Sequence, residues 1–336
     1  MDVSRVTPPT IFDVAEAAGV SITTVSHVYS GKRPVSKATT QRVLETAQAL
    51  GYQPHKGAQA LARGKTMTLA LQISLASHEI VLSPYYGELV PALSKAALAR
   101  GYTFVLVPPA PEEEAFITPL LSQRSIDGAI VVDPRREDPF VTGLLELGIP
   151  FVTAGRVLDD DTAPVIDNDH DLLCANTLEH LRAQGCRHVA MLNFPGDTSY
   201  PVDVGSSFAE RVPGGLTVTA RELTEPAGFE AAQELLDHGG EIDAIFCVQD
   251  VLAVGALRAL QARGIDVPRE IAIASVGDSV LTLHTHPTLT STQVWPERIG
   301  ELLITVLDQR LAGQDVPHLT LVPTELVVRE STLRVH

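Results

Sequence analysis

The sequence predicts an α/β protein in two parts: a small helical head of helix-turn-helix type, and a larger core of two lobes, each an open, doubly wound parallel sheet. Three observations predict it. Residues 10–54 hold three short helical segments separated by Gly and Ser signals. From Thr68 onward, short apolar runs of strand type alternate with helical stretches, in two successive series. Charge is divided between the two parts: the head is basic and the remainder is acidic.

In the head, Thr10 is placed to N-cap a first helix, with Asp13 closing a capping box. Gly19 makes the tight turn, and Ser21 caps a second helix running to about Tyr29. Ser36 caps a third helix, which Gly51 ends. Two short helices joined through a Gly turn, the second rich in small polar residues, form a helix-turn-helix that sets its second helix in a major groove. Val25 and Val28, three residues apart, are read as core. Ser21, Thr24 and Ser26, with Lys32, Arg33, Ser36 and Thr39 around them, suit phosphate.

In the body, TLALQI from Thr68, TFVLV from Thr103, AIVV from Ala129 and PFVTA from Pro150 form the first strand series. A second series begins near Asp167, with HVAML from His188, AIFCV from Ala244 and IAIASV from Ile271. Helical stretches such as ELVPALSKAALARG and VLAVGALRALQARG lie between them. Continuous apolar strands separated by helices indicate parallel sheets covered on both faces. Two such sets indicate two lobes, with ligand expected at the carboxyl ends of the strands.

Composition narrows the function. At 336 residues the chain is too long for one ordinary core. No run approaches the roughly 18 apolar residues of a membrane span. The opening MDVSRVTPPT lacks an apolar signal core, so a cytoplasmic location is expected. Cys174, Cys186 and Cys247 form no CxxC pair, which points to neither a disulfide framework nor a zinc site. The net charge of −16 divides into +4 for residues 1–65, where eight Lys/Arg face four acids, and −20 for the rest. A basic head on an acidic body docks one end on phosphate while the body stays off the duplex. No GxGxxG, GxxxxGK[ST] or GxSxG string occurs in its structural context, and the HxH of His284 and His286 has no third ligand nearby. Neither catalysis, a cofactor nor a metal is expected.

The string DVAEAAGVSITTVSHVYSGKRPVS, followed by RVLETAQALGYQP, resembles the N-terminal signature of the lactose-repressor (LacI/GalR) family of bacterial transcription regulators. The resemblance implies that Ile22, Thr23 and His27 face base edges. His27 stands where many relatives carry Arg; imidazole offers guanine one donor where Arg offers a fork. It further implies that residues 53–66, QPHKGAQALARGKT, form a hinge helix on the operator, bringing His55 and Lys56 to the DNA and wedging Leu61 into a base step. Gly57 weakens such a helix by about 1 kcal/mol, so the hinge is expected to order only on DNA.

VIDNDH, GCRHVAML, VQDVLAVGALRALQARGIDVP and VPTELVVREST are similar to the family's periplasmic-binding-protein-like (type I) core. The implied organisation is a head over 1–52, a hinge over 53–66 and a core over 67–336. Lobe 1 spans about 67–165 and 293–323, and lobe 2 about 166–292 and 324–336, with crossings near Val165, Thr292 and Pro323. The polar anchors that sugar- and purine-binding relatives use are largely replaced: the Arg-bearing stretch reads SYPVDVGSSFAE, and the Asn-Asp pair is Gln249-Asp250. The effector candidates are Tyr85, Tyr86, Arg156, Phe229, Gln249, Asp250, Asp278 and Trp295. Asp250 has a second reading, as the cap of the helix that follows it.

The function implied is a regulator, in sense a repressor, binding a near-palindromic operator as a homodimer. A small molecule in the core cleft, a carbohydrate first and a nucleobase or nucleoside second, modulates it. Two alternatives stay open: a constitutive or architectural DNA binder whose core has lost its effector, and a solute-binding protein of the same core fold.

Overall fold

The computed structural model describes residues 9–30, 33–52, 65–74, 83–107, 117, 119–121, 125–159 and 162–334. These fall into two compact units, a head within Met1–Thr68 (with Ser125–Asp127) and a core formed by Leu69–Arg124 and Gly128–His336.

Three helices make the head: α1 (Ile11–Ala18), α2 (Ile22–Ser30) and α3 (Lys37–Leu50). The expected caps are present. The Thr10 N–H and hydroxyl both donate to the Asp13 carboxylate, at 2.6 and 2.7 Å. The Ser21 hydroxyl accepts the Thr24 N–H at 3.1 Å, and Ser36 accepts that of Thr39 at 3.2 Å. Gly19 and Gly51 sit in the left-handed region, at φ 63 and 68°, where a Cβ carries a penalty. Val14, Ala15, Ala18, Val25, Val43 and Ala47 form the buried centre, and Val28 packs against it. Tyr29 and Tyr52 close the rim edge to face, 6.1 Å apart.

The core unit contains two six-stranded sheets. The first has the order β11-β5-β4-β3-β1-β2, from β1 (Thr68–Ile73), β2 (Thr103–Val107), β3 (Gly128–Val132), β4 (Phe151–Ala154), β5 (Val165–Asn168) and β11 (Leu319–Val322). The second has the order β12-β10-β9-β8-β6-β7, from β6 (Val189–Asn193), β7 (Thr217–Thr219), β8 (Ala244–Cys247), β9 (Ala272–Gly277), β10 (Thr290–Gln293) and β12 (Glu325–Val327). Central strands such as β3 and β8 are apolar and buried along their whole length, as parallel strands covered on both faces must be. β12 alone is antiparallel among the registered pairs of its sheet, lying on β10 with Thr292 opposite Leu326.

Helices connect the strands. α4 (Pro84–Ala99) and α5 (Pro139–Glu146) belong to the first lobe, and α6 (His170–Ala183), α7 (Ser199–Arg211), α8 (Glu225–Asp237) and α9 (Asp250–Ala262) to the second. α10 (Pro296–Leu311) returns to the first lobe and packs on α4. The chain thus passes between sheets after Asn168, again between Gln293 and Leu319, and finally between Val322 and Glu325. The first passage comes later than the sequence suggests. β5 pairs with β4 and β11, so Ile166, Asp167 and Asn168 are part of the first sheet.

α8 and α9 approach each other through two glycines. A Cβ on Gly255 would lie 2.2 Å from the Glu225 carbonyl oxygen and 2.5 Å from the Phe229 nitrogen; one on Gly228 would lie 2.6 Å from the Leu252 carbonyl oxygen. All of these neighbours are backbone, which cannot step aside without moving a helix. Gly255→Ala is therefore expected to destabilise the core by about 3 kcal/mol. A thermal melt with an unchanged midpoint would show that the two helices part at little cost.

Candidate functional site

Parallel strands end together, and the ends of β3, β5, β6, β8, β9 and β10 meet at one cavity of about 670 Å3, its open mouth included. The first lobe brings Tyr85 and Tyr86 from α4, Asp133 just after β3, and Asp167 and Asn168 from β5. The second brings His170, Phe194, Tyr200, Gln249 and Gly277. A smaller annex shares Tyr85, Gln249 and Gly277 with it and reaches Glu88 and Asp250.

The wall is aromatic with inset carboxylates. Tyr85 and Tyr86 stand edge to face at 5.2 Å, and Tyr200 lies 4.9 Å from the His170 ring. The Tyr86 hydroxyl donates to Asp133 at 2.5 Å. Asp133 holds φ 50°, a left-handed conformation rare outside glycine and common at functional sites. Burial pushes its carboxyl up to about 6, with Asp167 adding to the rise and Tyr86 and His170 opposing it. The Tyr200 hydroxyl donates to the Val248 carbonyl at 2.5 Å. The Asn168 side-chain oxygen is buried and accepts no hydrogen bond.

A chain of charges starts in the wall and runs away from it. His170 Nε2 stands 3.2 Å from Asp167 Oδ1, and its Nδ1 stands 3.7 Å from Asp203 on α7. The Arg156 guanidinium donates twice to Asp203, at 3.2 and 2.5 Å. Burial works against the His170 charge, yet the two carboxylates outweigh it and lift the imidazole to about 10.

Of the residues singled out in the sequence, Tyr85, Tyr86 and Gln249 line the main cavity, and Asp250 borders the annex. The Asp250 carboxylate is largely occupied: it accepts from the Ser275 and Ser291 hydroxyls at 2.6 and 2.7 Å and from the Ser279 N–H at 2.7 Å. Asp278, Arg156, Phe229 and Trp295 sit elsewhere. Asp278 pairs with Arg329 at 2.6 Å. Arg156 is drawn to Asp203, in an open groove with Asp171 and Glu210. Phe229 is on α8, against the second lobe's core. Trp295 precedes α10 and is 36% exposed, while its neighbours Val294 and Pro296 line the cavities. Asp133, Asp167, Asn168, His170, Phe194 and Tyr200 were not singled out. For Asp133, Asp167 and Asn168 the sequence signal is position: VVDP and VIDN carry a carboxylate or amide at the ends of apolar strands, at the sheet edge where ligands bind.

On the head, Ile22 is 41% exposed at the start of α2, beside exposed Ser21 and Thr23. Thr24, Ser26 and His27 are half-buried on the same helix, and His27 Nδ1 has no hydrogen-bond partner. Two hydroxyl pairs, Ser21–Thr24 and Ser36–Thr39, each 2.8 Å apart, mark the amino ends of α2 and α3. Helix amino ends favour anions. Arg33 is exposed nearby in sequence; Lys32, His55, Lys56 and Leu61 lie outside the described residues.

His170 titrates higher in the folded chain than the ordinary value near 6.5. Its contribution is therefore complete below about pH 6.5 and is lost as pH rises toward 10. The melting temperature is expected to fall over that interval, and to fall less in His170→Gln. Parallel curves for the two proteins would remove the imidazolium from this account.

Residues 10–55 match the family described as bacterial regulatory proteins, lacI family, and residues 178–332 match the periplasmic binding protein-like domain. The HTH-type transcriptional regulator CelR of Thermobifida fusca is 31% identical over 333 residues, covering 96% of this chain and 98% of that protein. The ribose operon repressor of Escherichia coli (strain K12) is 31% identical, covering 90% and 93%. Among solved structures, a lac repressor dimer bound to operator and the anti-inducer ONPF superposes with a TM-score of 0.82 at 26% identity, covering 98% of this chain and all of that one. A CelR–cellobiose complex superposes with a TM-score of 0.74 at 30% identity, covering 96% and 99%. With its helix-turn-helix head and two-lobed core aligned end to end with such regulators, the chain belongs to the lacI family of bacterial regulatory proteins.

Proposed function

We propose that this protein is a cytoplasmic, operator-binding repressor that acts as a homodimer and whose DNA affinity is set by a carbohydrate held between the two core lobes. The observation that carries the effector half is the cavity itself. Strand ends from both sheets converge on it, and rings alternate with hydrogen-bonding groups, a pattern suited to sugar faces and hydroxyls. Relatives support the class: CelR is solved with cellobiose, and another relative is a ribose operon repressor. Tyr85, Tyr86 and Gln249 are assigned to ligand, joined by Asp133, Asp167 and Asn168. Asp250 shapes the annex through its serine contacts.

The head supplies the DNA half. Ile22, Thr23 and His27 are assigned to base edges, and Ser21, Thr24, Ser26, Lys32, Arg33, Ser36 and Thr39 to phosphates. His55, Lys56 and Leu61 are assigned to the minor groove. The homodimer follows the neighbour crystallised as a dimer on operator, since two symmetric heads read two half-sites. Ligand acts by preferring one arrangement of the lobes, and this assigns the cavity to regulation and not to catalysis.

Sequences selected from a random pool by the purified protein should converge on a near-palindrome, and a bound saccharide should shift the fluorescence-anisotropy titration. His27→Ala is expected to relax preference at one base pair per half-site, a loss on the order of 1 kcal/mol of discrimination. Leu61→Ala is expected to weaken selected-site binding by tenfold or more, roughly, while random-sequence binding stays level. Titrations that no saccharide moves would leave a constitutive regulator in place of this reading.

A further inference from the structure

The cavity mixes neutral donors, among them Ser83, Thr198 and Gln249, with ionisable groups that are mostly acidic: Asp133 and Asp167 against the imidazole of His170. Three of its polar wall groups, Asp133, Asp167 and the Asn168 side-chain oxygen, are acceptors at the ends of β3 and β5. Among the described residues, no lysine or arginine lines the cavity or its annex, while Glu88 and Asp250 add two further carboxyls in the annex. Arg156 is held by Asp203 in an adjoining groove that shares Asp167, Asn168 and His170 with the cavity, and it does not itself line the cavity. His170 does line the cavity, but it faces two carboxylates, Asp167 at 3.2 Å and Asp203 at 3.7 Å, so its charge is already matched. Asn168 is only 7% exposed, and its side-chain oxygen has no donor. A buried acceptor left unpaired costs stability until something supplies a proton.

The four rings Tyr85, Tyr86, Phe194 and Tyr200 complete the wall. Rings beside carboxylates form the environment that attracts an ammonium group: the ring faces are electron-rich and the carboxylates compensate its charge. An anionic ligand would meet the like charge of Asp133, whose hydrogen-bond partner is the neutral Tyr86 hydroxyl, and a sugar hydroxyl leaves that charge uncompensated.

We propose that the effector carries a protonated amine, making it an amino sugar in preference to a neutral or anionic saccharide, with Asp133 and the Asn168 oxygen receiving the ammonium. This rests on the cleft being a carbohydrate site. Binding is linked to pH through Asp133, which is faced by Tyr86, Asp167 and His170 and neighboured by Tyr85 and Tyr200. Because burial lifts its carboxyl to about 6, an ammonium binds better as Asp133 ionises.

The test is isothermal titration of the full chain with matched sugars: glucosamine against glucose, galactosamine against galactose, the deacetylated chitobiose dimer against cellobiose, and cellobiose 6-phosphate. One amino sugar should bind at least about tenfold tighter than its hydroxyl counterpart, with the phosphate weakest. The same affinity should strengthen between about pH 5 and pH 7, and Asp133→Asn should erase the amine's advantage. The pH series on the unmodified protein decides the matter if that variant fails to fold. A neutral sugar that binds as tightly as its amino counterpart, or a phosphate that binds tighter, overturns the amine and leaves the carbohydrate cleft standing. No heat with any sugar overturns both.

Discussion

Parallel pairing governs the arrangement of this molecule. Strands that run the same way must be joined by helices crossing the sheet, and their carboxyl ends are delivered to one edge. Here it operates twice, in β1, β3, β4, β5 and β11 of the first sheet and β6, β7, β8, β9 and β10 of the second. The two edges share one cavity, so Asp133 and Gln249, far apart in sequence and on different sheets, line the same space. The same pairing buries β3 and β8 on both faces and leaves polar side chains little room except at strand ends.

Carboxylates placed at such ends have to be satisfied, and the chain does so in two ways. Asp250 is surrounded by neutral donors, the hydroxyls of Ser275 and Ser291 and the Ser279 N–H; burial still keeps its carboxyl above the ordinary range. This arrangement ties α9 to β9 and β10, and Gly277 has room for no Cβ beside it, since one would lie 2.8 Å from the Asp250 oxygen. Asp167 and Asp203 instead share an imidazolium, and Arg156 closes the far end. Since Arg156 follows β4 in the first lobe while Asp203 is on α7 in the second, the charge chain links lobes that ligand binding is proposed to move.

The head is stabilised by other means. Among the described residues its core has six buried side chains, so its caps matter more than those of a large lobe. Each helix start is closed by a hydroxyl, and two of the three caps are hydroxyl pairs. Those groups order the helices and also place polar atoms at amino ends that favour anions, so stability and the proposed phosphate contacts draw on the same residues.

Local signals were legible in the sequence: the three helices of the head with their Thr10, Ser21 and Ser36 caps, the Gly19 and Gly51 turns, and the apolar strands of both sheets. These depend on propensity and on contacts within a few residues, which a sequence displays directly. The register of β5 was less clear, because VIDN reads equally well as the last strand of one lobe or the first of the next, and only pairing with β4 and β11 decides it. The cavity wall was half legible. Tyr85, Tyr86 and Gln249 stood out, whereas Asp133 and Asn168 did not, since a strand-final carboxylate or amide acquires its role from what another lobe brings to it. Arg156 and Asp278 were drawn elsewhere by Asp203 and Arg329, partners 47 and 51 residues distant, and no local pattern announces such pairs. The sequence by itself determined the elements, the division of charge and the family. Tertiary structure decided which carboxylates meet rings and which meet cations, because electrostatic partners are set by distance in space, not by distance along the chain.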